Sequence, residues 1–209
     1  MKKKLSIYGC TGSIGDSTFK LFKKNNKDHT FYILTGYKNY KKIKYLIKRY
    51  NPNFFVIFDE KTYKKIKKEY NKKNVKILNS KDFSNYKFKK SDISILATPG
   101  IAGLEPTLKA IKISKKVLIA NKESIICGWE IINQLIKKHK VKILPLDSEH
   151  FSIMNLINET NIKNIEKIFL TASGGPFLNY PLKKMQNIKP SEAINHPKWK
   201  MGKKISIDS

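Results

Sequence analysis

Arginine is almost missing from this chain of 209 residues. Arg49 is the only one among 43 basic side chains, against 16 carboxylates, and the formal net charge is +27. A balance so basic points towards nucleic acid or an anionic membrane surface. The shortage of arginine argues against the first, because readers of bases and phosphates rely on its planar, bidentate fork. The lysines are also spread along helical segments instead of forming one stripe, the pattern of solvated faces. Cysteine is scarce too. Cys10 and Cys127 have no CxxC partner and no metal-ligand spacing, which fits a reducing compartment. No apolar run approaches the roughly 20 residues of a membrane span. The run behind Met1-Lys2-Lys3-Lys4 ends at Tyr8, too short for a signal peptide. A cytoplasmic protein without membrane or nucleic-acid partners is expected.

The chain is long enough for one large or two small domains, and its 40% hydrophobic content permits a packed core. Apolar runs of four or five residues alternate with stretches of helical spacing. Strands are expected at Leu5–Tyr8, Phe31–Leu34, Phe54–Phe58, Val75–Leu78, Asp92–Leu96, Val117–Ala120 and Val141–Leu146. Helices are expected from the Gly15 turn to about Lys24, and over Lys41–Tyr50, Lys61–Tyr70, Ala102–Ile113, Ser124–His139 and Ser152–Ile157. Residues 81–90 are polar and carry no clear signal. This rhythm predicts a parallel α/β sheet. A further strand is expected at Ile165–Leu170, and Ser191 is placed to cap a short helix. After Asp147 the rhythm changes, so a doubly wound parallel domain followed by a smaller second domain is expected.

Three places carry chemistry. Gly9-Cys10-Thr11-Gly12-Ser13-Ile14-Gly15 lies between a strand and a helix, the context a dinucleotide fingerprint requires. Glycines let main chain approach a pyrophosphate, and the helix N-terminus supplies N–H donors. A tight βα turn without ligand is the plainer reading. An NAD site usually has a carboxylate about 20 positions further on. Here the second strand runs into Thr35-Gly36-Tyr37-Lys38-Asn39, with Lys41 and Lys42 beyond. A cation in place of the acid suits a 2′-phosphate and hence NADP, although lysine is common throughout. Third, Leu144-Pro145-Leu146 ends in Asp147-Ser148-Glu149-His150. In an extended segment Asp147 and Glu149 would point the same way. Paired carboxylates repel unless a proton or cation sits between them, and a hard divalent ion prefers oxygen ligands. The plainer reading is an acidic helix N-terminus. Ser173-Gly174-Gly175 is a plausible anion cradle, and Trp199 with Met201 a plausible lid.

Read together, these segments resemble the 1-deoxy-D-xylulose-5-phosphate reductoisomerase family. The resemblance is carried by the Gly9–Gly15 turn, Ala120-Asn121-Lys122-Glu123-Ser124, Pro145-Leu146-Asp147-Ser148-Glu149-His150, Ser173-Gly174-Gly175-Pro176-Phe177 and His196-Pro197-Lys198-Trp199-Lys200-Met201-Gly202. Lys204 to Ser209 continues it. It implies an NADPH-dependent, metal-dependent enzyme that isomerises and reduces 1-deoxy-D-xylulose 5-phosphate to 2-C-methyl-D-erythritol 4-phosphate for isoprenoid synthesis. Cofactor contacts are implied for Thr11, Gly12, Ser13, Ile14, Gly36, Lys38, Asn39, Asn121, Glu123 and Gly202. Substrate contacts are implied for Lys122, Ser148, Glu149, Ser173, His196 and Ser209, and metal ligation for Asp147 and Glu149. Asp147, Glu149 and His196 are the expected catalytic residues, with Mn²⁺, Mg²⁺ or Co²⁺ as the ion. A homodimer of the full-length protein is implied, in a bacterial cytoplasm or, after loss of a targeting segment, the plastid stroma. The sequence departs from the family at Cys10, where serine is usual. The family's pattern also continues past Ser209 into an Asn-Lys pair and a third metal-binding Glu, so the resemblance implies about the first half of the enzyme: a Rossmann-like NADP-binding domain over 1–140 and an α+β catalytic domain over 141–209, incomplete at its end. Competing readings are another NADP-dependent oxidoreductase, a basic nucleic-acid binder and an inactive remnant that still binds nucleotide. A semialdehyde dehydrogenase needs a nucleophilic thiol, and Cys127 falls in an expected helix with no obvious His partner.

Overall fold

The computed structural model describes residues 2–22, 28–70, 74–170, 174–198 and 206–207. Two compact units follow one another, Met1–Phe151 and Ser152–Ser209. The first is a seven-stranded, all-parallel sheet: β1 (Lys3–Tyr8), β2 (His29–Gly36), β3 (Phe54–Ile57), β4 (Lys76–Leu78), β5 (Ser91–Leu96), β6 (Ser114–Ile119) and β7 (Lys142–Pro145). Their spatial order is β4-β3-β2-β1-β5-β6-β7. The order reverses between β1 and β5, and loops leaving that point diverge to open a crevice at the carboxyl ends of the strands. β7 pairs with β6, so the sheet takes in residues beyond 140 and the first unit runs to Phe151.

Parallel strands are covered on both faces, so their side chains are apolar in both directions. Ile7, Leu34, Phe55 and Ile95 enter one core with Phe19, Ile43, Leu46 and Ile66 of α1 (Ser13–Phe22), α2 (Tyr40–Tyr50) and α3 (Glu60–Tyr70). Their neighbours Tyr8, Ile33, Val56 and Leu96 enter a second core on the opposite face. There they meet Phe83, Ala110, Ile111 and Ile132 of α4 (Ser80–Asn85), α5 (Leu104–Lys112) and α6 (Lys122–His139). β2 breaks the alternation, since Tyr32 and Ile33 join the same core. The pairing shows why: Leu5 faces Phe31 but Ile7 faces Leu34, so one extra residue of β2 bulges between them.

Most strands and helices fall where the alternation predicts, with ends shifted by a few residues. Four expectations are corrected. The quiet stretch 81–90 begins in α4, started by a capping box in which Asn79 Oδ1 accepts from Asp82 N–H at 2.7 Å. The expected helix at Ala102 opens instead with a 3₁₀ turn, Ile101–Gly103, before α5. Ile165–Leu170 forms no strand; Ile168, Phe169 and Leu170 are exposed, and an apolar run becomes a strand only beside a partner. Ser191 lies inside α8 (Pro190–Ala193) and does not cap it; the N–H of Lys189 before it donates to Glu192 Oε2 at 2.8 Å. The strand expected near Lys204 lies almost wholly outside the described residues. No helix among the described residues is long and apolar enough to cross a membrane.

Candidate functional site

The crevice is built loop by loop along the carboxyl edge of the sheet. Gly9 leaves β1 at φ 76°, and a Cβ there would lie 2.7 Å from Thr98 N and 2.8 Å from the Ala97 carbonyl. The turn therefore lies directly on the loop that follows β5, closer than any side chain allows. Thr35 of β2 holds it from the other side: its hydroxyl accepts from Gly9 N–H at 2.8 Å, and its carbonyl from Cys10 N–H at 2.9 Å. Gly15 is equally constrained, since a Cβ would fall 2.3 Å from the Cys10 carbonyl oxygen. Gly12 differs. A Cβ there would meet only the Gly9 oxygen, at 3.5 Å, so packing does not require this glycine. Its bare main chain is exposed beside Ser13 and Ile14, whose N–H groups open α1 without helical acceptors. That combination fits a pyrophosphate. Cys10 is buried beneath the turn, and burial pushes its thiol far above the ordinary range, so it is an inert packing group.

At the end of β2, Gly36 passes so close to Thr11 that a Cβ would sit 3.1 Å from its methyl group. Asn39 caps α2, its Oδ1 accepting from Lys42 N–H at 3.2 Å, and Lys38 is exposed beside it. The Lys42 ammonium is 2.5 Å from Asp16 of α1, so it is already paired. Lys38 stands near Asp59, whose carboxyl is held low chiefly by hydrogen bonds from Thr62.

On the far side of the crevice, Asn121 caps α6 and is 3% exposed. Its Oδ1 accepts from Ser124 N–H at 2.6 Å, while its amide N–H groups donate to Gly100 O at 2.8 Å and to Thr98 O. Every polar atom of this side chain is committed inside the protein. Lys122 is exposed and Glu123 half-buried in the first turn of α6. Leu146 N–H donates to Ile119 O at 2.8 Å, which sets the Asp147 segment beside the Asn121 segment.

The carboxylate pair has a different geometry from the extended one expected. Residues 148–150 are already helical in α7 (Ser148–Glu159). Asp147 stands at its N-cap position, where Oδ1 accepts from His150 N–H at 2.9 Å and lies 2.6 Å from His150 Nδ1. Glu149 is in the first turn and exposed, with Ser148 Oγ 3.0 Å from its Oε2. The helix N-terminus, not strand alternation, gathers these anions. Burial is the largest single influence on Asp147 and acts upward, yet its carboxyl lies below the usual range because the main-chain and ring hydrogen bonds from His150 together outweigh it. Oxygen donors of this kind suit a hard dication. No group of three or more His, Cys, Asp or Glu able to hold a metal occurs among the described residues.

In the second unit, His196 is buried and its Nδ1 accepts from Lys198 N–H at 3.2 Å. Gly174 and Gly175 follow one another at φ 77° and 62°, a turn open to glycine. Ser173, Trp199, Met201, Gly202 and Ser209 lie outside the described residues. The sequence reading missed two features. One is the Thr98–Gly100 loop, which lies against the glycine turn at Thr98 and is signalled only by Pro-Gly after a strand. The other is His150 as the partner of Asp147, signalled by the Asp-x-x-His spacing of a capped helix.

Seven parallel strands, helices on both faces and a glycine turn at the switch point define a Rossmann-like α/β domain. The chain belongs to the 1-deoxy-D-xylulose 5-phosphate reductoisomerase family: the family's model matches residues 5–128, and the model of its C-terminal domain matches 143–209. The reductoisomerase of Pelagibacter ubique is 46% identical over 99% of this chain and 54% of its own length. That of Wolbachia pipientis is 42% identical over 99% of this chain and 53% of the relative. The Zymomonas mobilis enzyme, solved in complex with NADPH, superposes with a TM-score of 0.87 at 33% identity, covering all of this chain and 54% of that one. A reductoisomerase solved with NADPH, fosmidomycin and magnesium gives 0.82 at 34% identity, over 99% and 54% of the two chains. This chain thus spans about half the length of the relatives it matches.

Proposed function

We propose that this chain carries the cofactor-binding part, and a portion of the catalytic part, of an enzyme that isomerises and reduces 1-deoxy-D-xylulose 5-phosphate to 2-C-methyl-D-erythritol 4-phosphate. The observation that carries the reading is the Gly9–Gly15 turn at the switch point, whose open Gly12 has no packing reason to be glycine. The family match and the relatives solved with NADPH and magnesium support it. Thr11, Gly12, Ser13 and Ile14 receive the pyrophosphate. Gly36, Lys38 and Asn39 receive the adenosine end, with Lys38 answering a 2′-phosphate. Asn121, Glu123 and Gly202 complete the cofactor side. Asp147 and Glu149 would hold a divalent cation, Mg²⁺, Mn²⁺ or Co²⁺. Lys122, Ser148, Ser173, His196 and Ser209 bind the sugar phosphate.

When bound, NADPH supplies a hydride and the cation supplies Lewis acidity. The protein's own share is placement. Its N–H groups and lysines neutralise phosphate charge, and His150 keeps Asp147 ionised and oriented. The full-length enzyme is proposed to be a homodimer of a bacterial cytoplasm, or of a plastid stroma where a targeting segment has been removed. Fluorescence titration of this chain with NADPH tests the reading. Saturable binding at micromolar cofactor is expected, and no binding by monodisperse protein overturns it.

A further inference from the structure

We infer that Asn121 is a positioning residue that joins the two walls of the crevice, and that Gly103 is glycine to make room for it. The functional half of this inference rests on the cofactor reading above. A helix cap needs one acceptor, and Asn121 provides it to Ser124 N–H at 2.6 Å. Serine, threonine or aspartate would cap as well. What they lack is a second, opposite-facing pair of donors. Asn121 uses that pair on the carbonyls of Thr98 and Gly100, in the loop that follows β5. Thr98 in turn touches the glycine turn, since Gly9 admits no Cβ against Ala97 and Thr98. An unbroken line of contact therefore runs from the fingerprint turn through Thr98 and Asn121 to the first turn of α6, which carries Lys122 and Glu123.

Gly103 closes the arrangement. It is buried in the 3₁₀ turn before α5, with no unusual backbone angle to explain it. A Cβ there would lie 2.3 Å from Asn121 Nδ2 and 2.7 Å from Thr98 O. The glycine thus reserves the space of the Asn121 amide. Because this amide has no free polar atom, Asn121 serves the cofactor through the loop it holds, and direct ligand contacts on this wall fall to main chain and to Lys122 and Glu123. The join fixes the first turn of α6 against the loop that follows β5. Cofactor binding should therefore respond to changes at Gly103, which is shielded from solvent.

The test compares the unmutated chain with Asn121→Asp, Asn121→Ser, Gly103→Ala and the Asn121→Ser/Gly103→Ala double variant. Circular dichroism first establishes that each is folded. Both Asn121 variants keep the cap acceptor, so loss of the helix does not explain their effects. NADPH affinity is read by fluorescence, and amide hydrogen exchange is followed over residues 98–103 and 121–125 without cofactor. Each single variant is expected to weaken NADPH roughly tenfold. The double variant should be no weaker than the worse single, because both break one join. Exchange should quicken in both segments and stay unchanged in β2, β3 and β4. Unchanged exchange, or Gly103→Ala binding NADPH like the unmutated chain, overturns the inference. Additive losses overturn it too, since they indicate separate contacts. An unmutated chain that binds no NADPH overturns the cofactor reading, and with it this functional half.

Discussion

Lys38 and Asp147 each have a neighbour that sharpens what a substitution should do. Lys38 is exposed at the end of β2, while the nearby Lys42 is paired with Asp16 and less free to answer a second phosphate. NADPH should therefore bind more tightly than NADH, and Lys38→Glu should narrow or reverse the preference, losing roughly tenfold or more in NADPH affinity. Equal affinities in the unmutated chain would remove the argument for a 2′-phosphate site. Asp147→Asn keeps a good helix cap, so its thermal midpoint should stay close to that of the parent. In the full-length enzyme, Mn²⁺ binding by calorimetry should nevertheless fall below detection, because a neutral amide replaces a charged ligand. Asp92 belongs to the framework. The Lys115 ammonium and then the Lys4 main-chain N–H, each at 2.8 Å, hold its carboxyl below the ordinary range against opposing burial. A depressed folded-state value means the contribution is fully present above the unfolded value and is lost as pH falls through the folded one. Asp92→Asn should then cost about 1 kcal/mol near neutrality. The gap between mutant and parent in urea melts should close as the medium falls below pH 4.

Elements separate glycines kept by the fold from glycines kept for a ligand. Gly15→Ala drives a Cβ to 2.3 Å from the Cys10 carbonyl, a main-chain atom that cannot swing away. It should cost about 2–4 kcal/mol by urea melt, as overpacking at a helix–turn junction does. Gly12→Ala meets only the Gly9 oxygen at 3.5 Å and should cost about 1 kcal/mol or less, while weakening NADPH at least roughly tenfold. If the two variants lose stability equally, the open face of the turn has been misread. The same contrast shows what the chain made legible. The strands could be read because a doubly covered parallel sheet favours apolar runs such as Phe54-Phe55-Val56-Ile57. The bulge in β2 could not, because it depends on which residue of β1 faces Phe31 and Leu34. Apolar content at Ile165–Leu170 also misled, since periodicity reports the wish for a partner and not its presence. The Asp147-x-Glu149 pair was legible as a cluster but not as a geometry. Alternation assumed an extended chain, whereas the Asp147–His150 hydrogen bonds begin a helix there.

For the molecule as a whole, the cofactor side is well furnished and the metal side is not. Thr11 to Ile14, Gly36 to Asn39 and Asn121 to Glu123 all fall on one compact unit, Met1–Phe151, along one edge of one sheet. Such a unit has its own core on both faces, and of the proposed cofactor residues only Gly202 lies beyond Phe151. For the proposed cation the chain offers Asp147 and Glu149, and no group of three or more His, Cys, Asp or Glu able to hold a metal occurs among the described residues. A two-carboxylate Mg²⁺ or Mn²⁺ site must retain several waters, so it holds the ion loosely and leaves a substrate poorly fixed. Misplacing reacting atoms by about an ångström costs on the order of 10²-fold in rate. The 209-residue chain, whose matched relatives are nearly twice as long, should therefore bind NADPH and turn over no substrate. The measurement is NADPH consumption by monodisperse protein with 1-deoxy-D-xylulose 5-phosphate and Mn²⁺, run beside a cofactor titration on the same preparation. Binding with no turnover is the expected result. Steady turnover would show that two carboxylates and the residues up to Ser209 suffice for the chemistry, and the division between a complete cofactor side and a partial metal side would have to be abandoned.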